Sequence, residues 1–306
     1  MPIEIKSNID IEIYLSKQKS LIDNHLKKIF NDSSYMHPKE LWDALRYSLL
    51  DGGKRIRGIL CLATNESLSN VAFEDCLTTA CSIELIHAMS LIHDDLPCMD
   101  NDDIRRGKLS CHKAFSESTA ILTGDAMLSL AFQLICEQTK EIRENQKLKI
   151  INNLSQAFSF GLVPGQILDL SANEENHNLN FIKNVACLKT AELFKASVVC
   201  GGIISLGDDM TNIILEALST YGLNIGIAFQ IIDDILDITS DTKTPSTTSP
   251  NNEKQKKATF PLVLGIEKSK KMACELITKA KSELQKIKMK TQLLNLLADH
   301  MINRIN

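Results

Sequence analysis

Residues Ile214–Asp237 read ILEALSTYGLNIGIAFQIIDDILD, and the spacing within them decides the fold class. Ile214, Leu218, Tyr221 and Ile225 recur at intervals of three and four, the period of one helix face. Leu41, Leu45 and Leu49 repeat the pattern, and alternating β-branched runs are nearly absent from the chain. The sequence therefore reads as all-α. Helices are predicted over about 8–30, 56–68, 73–96, 117–140, 146–162, 180–205, 210–240, 259–281 and 283–303. A further one is opened by Pro38 and stopped by Gly52-Gly53, so that the glycine loop presents Lys54, Arg55 and Arg57. The segment Asp241–Lys257, DTKTPSTTSPNNEKQKK, is rich in residues that resist helix and burial alike and reads as a mobile loop.

The opening helix runs into Asp233-Asp234-Ile235-Leu236-Asp237, with Asp233 and Asp237 four apart on one face. A second acidic set follows the apolar run Ala88–Ile92 as His93-Asp94-Asp95-Leu96-Pro97-Cys98-Met99-Asp100. Carboxylates at the end of an apolar helix are costly unless paired or bound to cations. On an ideal helix Asp94 and Asp100 would lie roughly 120° apart. Pro97 cannot donate to the helix ladder, so a break or bulge near Leu96 is expected to bring Asp100 back toward Asp94. Oxygen-only donor sets suit magnesium, which shares its sphere with water and phosphate. Either cluster alone is as well explained as a solvent-facing helix end; two, each embedded in apolar helix, are not. Lys54, Arg55, Arg57, Arg105 and Arg106 would ordinarily be a solvated face, yet such groups are also what diphosphate recognition uses.

Across 306 residues, 44% apolar and 24% charged side chains describe an ordinary soluble chain. A net charge of −4 gives no basic footprint for nucleic acid. The nine cysteines are scattered without a CxxC pair, which suits a reducing cytosol and excludes a zinc site of ordinary spacing. Met1–Leu15 lacks the basic and apolar regions of a signal peptide, and no run of eighteen apolar residues occurs. A soluble cytoplasmic protein without a membrane partner is expected.

Gly52-Gly53-Lys54-Arg55-Ile56-Arg57, the span Ile86–Lys108 (IHAMSLIHDDLPCMDNDDIRRGK) and Phe229–Asp237 (FQIIDDILD) resemble the trans-isoprenyl diphosphate synthases, in particular bacterial farnesyl diphosphate synthases. Gly165-Gln166 with Asp169, Lys189-Thr190 and Lys257–Pro261 complete six motifs in the family's order. The resemblance implies a single domain over residues 1–306 with the isoprenoid synthase fold. In that fold antiparallel helices surround a central active-site cavity, usually in a homodimer, with the two aspartate motifs facing each other across its mouth. It implies that Asp94, Asp100 and Asp233, supported by Asp95 and Asp237, hold three magnesium ions against an allylic diphosphate, with Asp234 in the same catalytic set. Arg105, Lys189 and Lys257 would hold that diphosphate too. Lys54, Arg57, His87 and Arg106 match the positions that bind isopentenyl diphosphate. Thr190 and Gln230 would lie beside the reacting carbons. A lone histidine on an apolar helix is more often a core residue, but the motif around His87 favours substrate binding.

The implied reaction is magnesium-dependent ionisation of dimethylallyl or geranyl diphosphate, attack by isopentenyl diphosphate and loss of a proton, with Asp241–Lys257 as a lid that excludes water. Two departures stand out. Ser246-Thr247 replaces a usual Gly-Lys pair, which removes one phosphate-binding lysine; Gly58 replaces a common proline, with a modest effect on loop stiffness. Product length in the family depends on the positions four and five before Asp94, here Ser90 and Met89. Methionine in place of a blocking ring leaves geranylgeranyl diphosphate as the alternative to farnesyl diphosphate, and Met89 could also simply fill a core gap. A terpene cyclase needs no second diphosphate site, which the Lys54/Arg57 loop argues against. A catalytically silent regulatory subunit typically loses one aspartate motif, and both are intact here.

Overall fold

The computed structural model describes residues 9–31, 38–50, 52–172, 178–241 and 259–305, most of them helical as the periodicity predicts. The chain divides into two compact units, residues 1–151 and 152–306.

The first unit contains α1 (Ile11–Asn31), α2 (Lys39–Leu49), α3 (Ile56–Leu68), α4 (Phe73–Asp94), a hairpin of β1 (Ile104–Arg105) and β2 (Lys108–Leu109), the short α5 (Cys111–Ala114), α6 (Glu117–Gln138) and the start of α7 (Glu144–Gln156). Helix α4 is buried on every side, through residues such as Leu77, Ile83, Leu85, Ile86 and Ile92. A helix that is apolar all round has to be central, and α1, α2, α3 and α6 pack against it. Asp75, in its first turn, accepts the backbone N–H groups of Lys140, Glu141 and Ile142 at 2.9, 2.7 and 2.8 Å. Thus one buried carboxylate fixes the start of α4 to the turn between α6 and α7. Gly58 marks a close approach to α4: a Cβ there would meet the Ala80 carbonyl oxygen at 3.2 Å. Its N–H donates to Glu84 at 2.9 Å, a bond proline could not make. Gly58 is therefore a packing and hydrogen-bonding position as well as a matter of stiffness.

In the second unit a π-helical segment, Ala157–Leu162, carries α7 into α8 (Val163–Leu170). Then α9 (Leu179–Val185), a second π segment (Ala186–Ala191) and α10 (Glu192–Leu206) follow without interruption. Next come α11 (Asn212–Asp241), α12 (Phe260–Leu264), α13 (Ile266–Leu284) and α14 (Gln292–Ile302). Helix α11 is the centre here. Tyr221, Ile225, Ala228, Ile231 and Ile232 are fully buried against α10, α13 and the second π segment among other elements. The helix predicted over 259–281 is two helices, because Gly265 takes φ 80° between them.

Among the described residues four helical stretches are long and apolar enough to cross a bilayer by length and composition. Those within Phe73–Asp94 and Leu179–Asp209 have 83% of their apolar window buried inside the protein, which packing of the core accounts for.

Candidate active site

In the first unit the acidic motif sits where α4 ends. The amide of Asp100 donates to the carbonyl oxygen of Asp94 at 2.8 Å, so the chain folds back over Pro97 and returns Asp100 to Asp94, as the proline predicts. Asp94 and Asp100 are partly exposed, whereas Asp95 is buried. Asp95 accepts from Nε of Arg105 at 2.9 Å and from its Nη2. Burial pushes the Asp95 carboxyl up from its ordinary range, and the Arg105 guanidinium opposes that rise. The consecutive aspartates thus divide the work: Asp95 aims Arg105, and Asp94 and Asp100 form the outward pair. His93 holds the end of α4 against α6, with Nε2 at 3.1 Å from the carbonyl oxygen of Ile121.

The hairpin that carries Arg105 and Arg106 was not foreseen, because strands of two residues leave no periodicity to read. Arg106 and Gly107 both have positive φ, 54° and 78°, as the tightest hairpin turn requires. Tyr47 of α2 anchors it: its hydroxyl donates to the Leu109 carbonyl at 2.7 Å, and its own carbonyl accepts from Lys108 at 2.6 Å. Arg106 then lies over Gly52-Gly53, donating to the Gly52 carbonyl at 3.1 Å. A Cβ on Gly53 would come within 3.1 Å of its Nη2, so the paired glycines make room for the guanidinium.

Lys54 is exposed and Arg57 partly so. Nη1 of Arg57 lies 3.3 Å from Nε2 of His87. Arginine only donates, so Nε2 accepts and the neutral ring carries its proton on Nδ1. Desolvation, and then the Arg57 charge, hold the His87 pKa well below the ordinary histidine value. Arg55 differs from its expected place in the basic loop. It is 2% exposed and bonds inward to Asp23 at 2.8 Å, with Glu84 at 3.7 Å.

In the second unit Lys189 and Thr190 lie on the π segment 186–191, the kind of extra-residue bulge that often re-aims functional side chains. Two glycines allow it to be gripped. A Cβ on Gly165 would sit 2.3 Å from the Lys189 amide nitrogen, and one on Gly226 would sit 2.5 Å from Cα of Ala191. Asp169, noted in the sequence without a role, pairs with Lys189 at 2.7 Å. Gln166 is buried, and among the described residues neither polar atom of its amide has a hydrogen-bond partner. Thr190 donates to Oε1 of Gln230 at 2.8 Å, and Nε2 of Gln230 donates to Asp234 at 2.8 Å. Asp234 also accepts the Phe260 N–H at 3.1 Å. Burial pushes its carboxyl up to about 6, against the pull of these two donors.

Asp233 and Asp237 face outward, the first partly exposed and the second exposed. Arg304 reaches Asp233 at 3.1 Å, with its guanidinium 5.6 Å from the centre of the Phe229 ring. A single arginine near the end of the chain carries no spacing signal, and the sequence reading missed it. Lys257 and segment 242–258, which includes most of the expected lid, lie outside the described residues.

Among the described residues no three His, Cys, Asp or Glu side chains converge into a ready-made metal cage. Magnesium needs none, since it takes one or two carboxylates and completes an octahedron with water and phosphate. The outward pairs Asp94/Asp100 and Asp233/Asp237 supply carboxylate oxygens of that kind, so the residues present fit magnesium.

A family model described as Polyprenyl synthetase matches residues 38–297. The chain is 40% identical over 301 residues to a dimethylallyltranstransferase of Fischerella ambigua, covering 98% of this chain and 85% of that one. It is 40% identical to a geranylgeranyl diphosphate synthase of Cyanophora paradoxa, covering 99% of both chains. A farnesyl diphosphate synthase of Micrococcus luteus is 39% identical, over 94% of this chain and 99% of its own. Among solved structures, a geranyltransferase from Legionella pneumophila superposes with a TM-score of 0.82 at 34% identity, covering 96% of each chain.

Proposed function

This chain belongs to the polyprenyl synthetase family, and on that premise we propose that it condenses isopentenyl diphosphate with dimethylallyl and then geranyl diphosphate to give farnesyl diphosphate. Membership makes it a transferase of prenyl groups between isoprenoid diphosphates. The reading is carried by the first unit holding two distinct groups suited to diphosphate: the Asp94/Asp100 turn with Arg105, and the separate set Lys54, Arg57, His87 and Arg106. A condensation has two diphosphates to bind; a cyclisation has one. With both aspartate motifs intact, only the altered lid sequence at Ser246-Thr247 is left to favour a silent subunit.

Asp94 and Asp100 with Asp95 in support, and in the second unit Asp233 with Asp237 in support, would hold magnesium, which would supply positive charge against the departing diphosphate. Lys189, aimed by Asp169, and Arg105, aimed by Asp95, neutralise oxygens of the same group, and Lys257 is assigned with them. The allylic C–O bond breaks to leave a delocalised cation. Thr190 and Gln230 face that cation with uncharged oxygen. Lys54, Arg57 and Arg106 orient isopentenyl diphosphate, whose double bond forms the new C–C bond. A proton then passes to the released diphosphate, so no side-chain base is needed. Neutral His87 adds a hydrogen bond without adding charge.

Met89 and Ser90, the product-length positions, are both buried in α4, 2% and 8% exposed. We assign the fifteen-carbon stop to Met89. One observation favours a second reading, geranylgeranyl diphosphate: Met89 is unbranched and flexible where a ring would block growth. Sizing of the dephosphorylated products decides, farnesol for the first reading and geranylgeraniol for the second. A homodimer is proposed as well, supported by exposed Ile121 and Leu122 on α6 and exposed Phe160 and Ile167 in the second unit. A particle near 34 kDa in light scattering would overturn it.

A further inference from the structure

We propose that Asp234 is a positioning residue: it fixes the Gln230 carboxamide, and through it the Thr190 hydroxyl, so that oxygen and not hydrogen faces the allylic cation. The inference rests on the reaction proposed above and assigns the one aspartate of the second motif that faces inward. Asp233 and Asp237 are accessible, but Asp234 is 9% exposed. Each of its carboxyl oxygens already has a donor, Gln230 on Oδ1 at 2.8 Å and the Phe260 backbone N–H on Oδ2 at 3.1 Å.

The polarity follows from what each group can do. Both carboxyl oxygens of Asp234 act as acceptors, Oδ2 toward the Phe260 N–H and Oδ1 toward Gln230, so Gln230 turns its NH2 toward Asp234. A carboxamide has two ends of nearly equal size, and only its partners decide which way it lies. With NH2 committed, Oε1 faces Thr190 at 2.8 Å and can only accept. The Thr190 proton is therefore spent on Gln230, and its oxygen keeps lone pairs for whatever lies beyond. Lone pairs stabilise a neighbouring carbocation, whereas an O–H dipole aimed at it repels.

The far end of the relay is equally fixed. Phe260 opens α12, and a first-turn amide has no partner within its own helix. Thr259, the residue before it, makes no side-chain capping bond. Asp234 supplies that acceptor from α11 and so ties two helices together while it orients Gln230.

Asp234→Asn keeps the shape and reverses the relay. Its oxygen is still needed by Phe260 N–H, so its NH2 meets Gln230, which flips and donates to Thr190, whose proton then turns outward. The expected result is a drop in kcat of about 10- to 100-fold, with KM values for both diphosphates within about threefold. Adding Gln230→Glu to Asp234→Asn restores an acceptor beside Thr190, and kcat should recover at least about tenfold over the single variant. A merely structural role predicts no such rescue. Wild-type kcat in Asp234→Asn, or a double variant no better than the single, overturns the relay.

Hydrogen exchange of the Phe260 amide in ligand-free protein gives a readout independent of turnover. It should be protected in the wild type and lose that protection in Asp234→Ala. Failure of the wild-type protein to elongate any primer would overturn the proposed reaction and, with it, the role toward a cation. Elongation by the wild type with equal Phe260 exchange in both proteins would overturn the relay alone.

Discussion

Replacing Gly226 with alanine should damage turnover far more than stability. The added Cβ would stand 2.5 Å from Cα and 2.7 Å from Cβ of Ala191, and 3.0 Å from Cβ of Phe194. Ordinary contact begins near 3.4 Å, so α11 and the π segment have to separate by 3.4 − 2.5 = 0.9 Å. Gly226 lies one turn before Gln230, and Ala191 directly follows Thr190, so the displacement falls on the 2.8 Å bond between these two side chains. Overpacking costs about 1–3 kcal/mol, and exchanging glycine for alanine inside a helix returns about 1 kcal/mol. The net loss is about 0–2 kcal/mol. At about 2.1 cal/mol/K per residue, that is about 0–3 °C in Tm for a chain of this length. A misplacement near 1 Å at reacting groups costs about 100-fold in rate. Calorimetry and steady-state kinetics on the same preparation test both halves. A kcat within threefold of wild type would refute the claim that this glycine sets the Thr190–Gln230 geometry, and so would a Tm loss above about 10 °C, which would make the effect one of folding.

Asp75→Ala should lower stability by about 3–5 kcal/mol, because three backbone N–H groups lose a charged acceptor; a melting curve within 2 °C of wild type would contradict this. Arg304→Gln removes the cation at Asp233, and because both side chains are partly exposed the pair is worth about 1 kcal/mol at most. The magnesium concentration for half-maximal activity should therefore fall by up to about fivefold, and a rise would show that Arg304 assists metal binding. His87 should remain neutral at pH 6 by NMR of its ring. Its folded pKa lies well below the unfolded value of 6.5, so the unfolded chain takes up that proton first. The stability it contributes is complete above pH 6.5 and declines below it, by up to about 1.4 kcal/mol per pH unit until the folded group protonates. A His87→Gln variant with the same pH dependence would contradict the assignment.

Much of this was legible because helical period, glycine and proline act locally. The sequence placed a helix over 56–68, and α3 spans Ile56–Leu68; Pro97 announced the fold-back that returns Asp100 to Asp94. What escaped depended on rotation or on distance along the chain. Neighbouring aspartates look alike in sequence, yet at about 100° per residue Asp95 and Asp234 turn inward while Asp94 and Asp233 turn out. Arg55 looked like a third cation of its loop, but its left-handed backbone, φ 54°, directs it to Asp23. The π segments add one residue per turn, which barely disturbs an apolar pattern. Arg304 meets Asp233 across 71 residues, beyond any local signal.

The central claim is that this protein joins two diphosphates, and label transfer tests it most directly. Purified protein would be mixed with magnesium, labelled isopentenyl diphosphate and, separately, dimethylallyl or geranyl diphosphate, and the label followed into the solvent-extractable product after dephosphorylation. The account expects transfer with either primer, none without a primer, and none once EDTA removes the metal. Folded protein that moves no label with either primer present would contradict it.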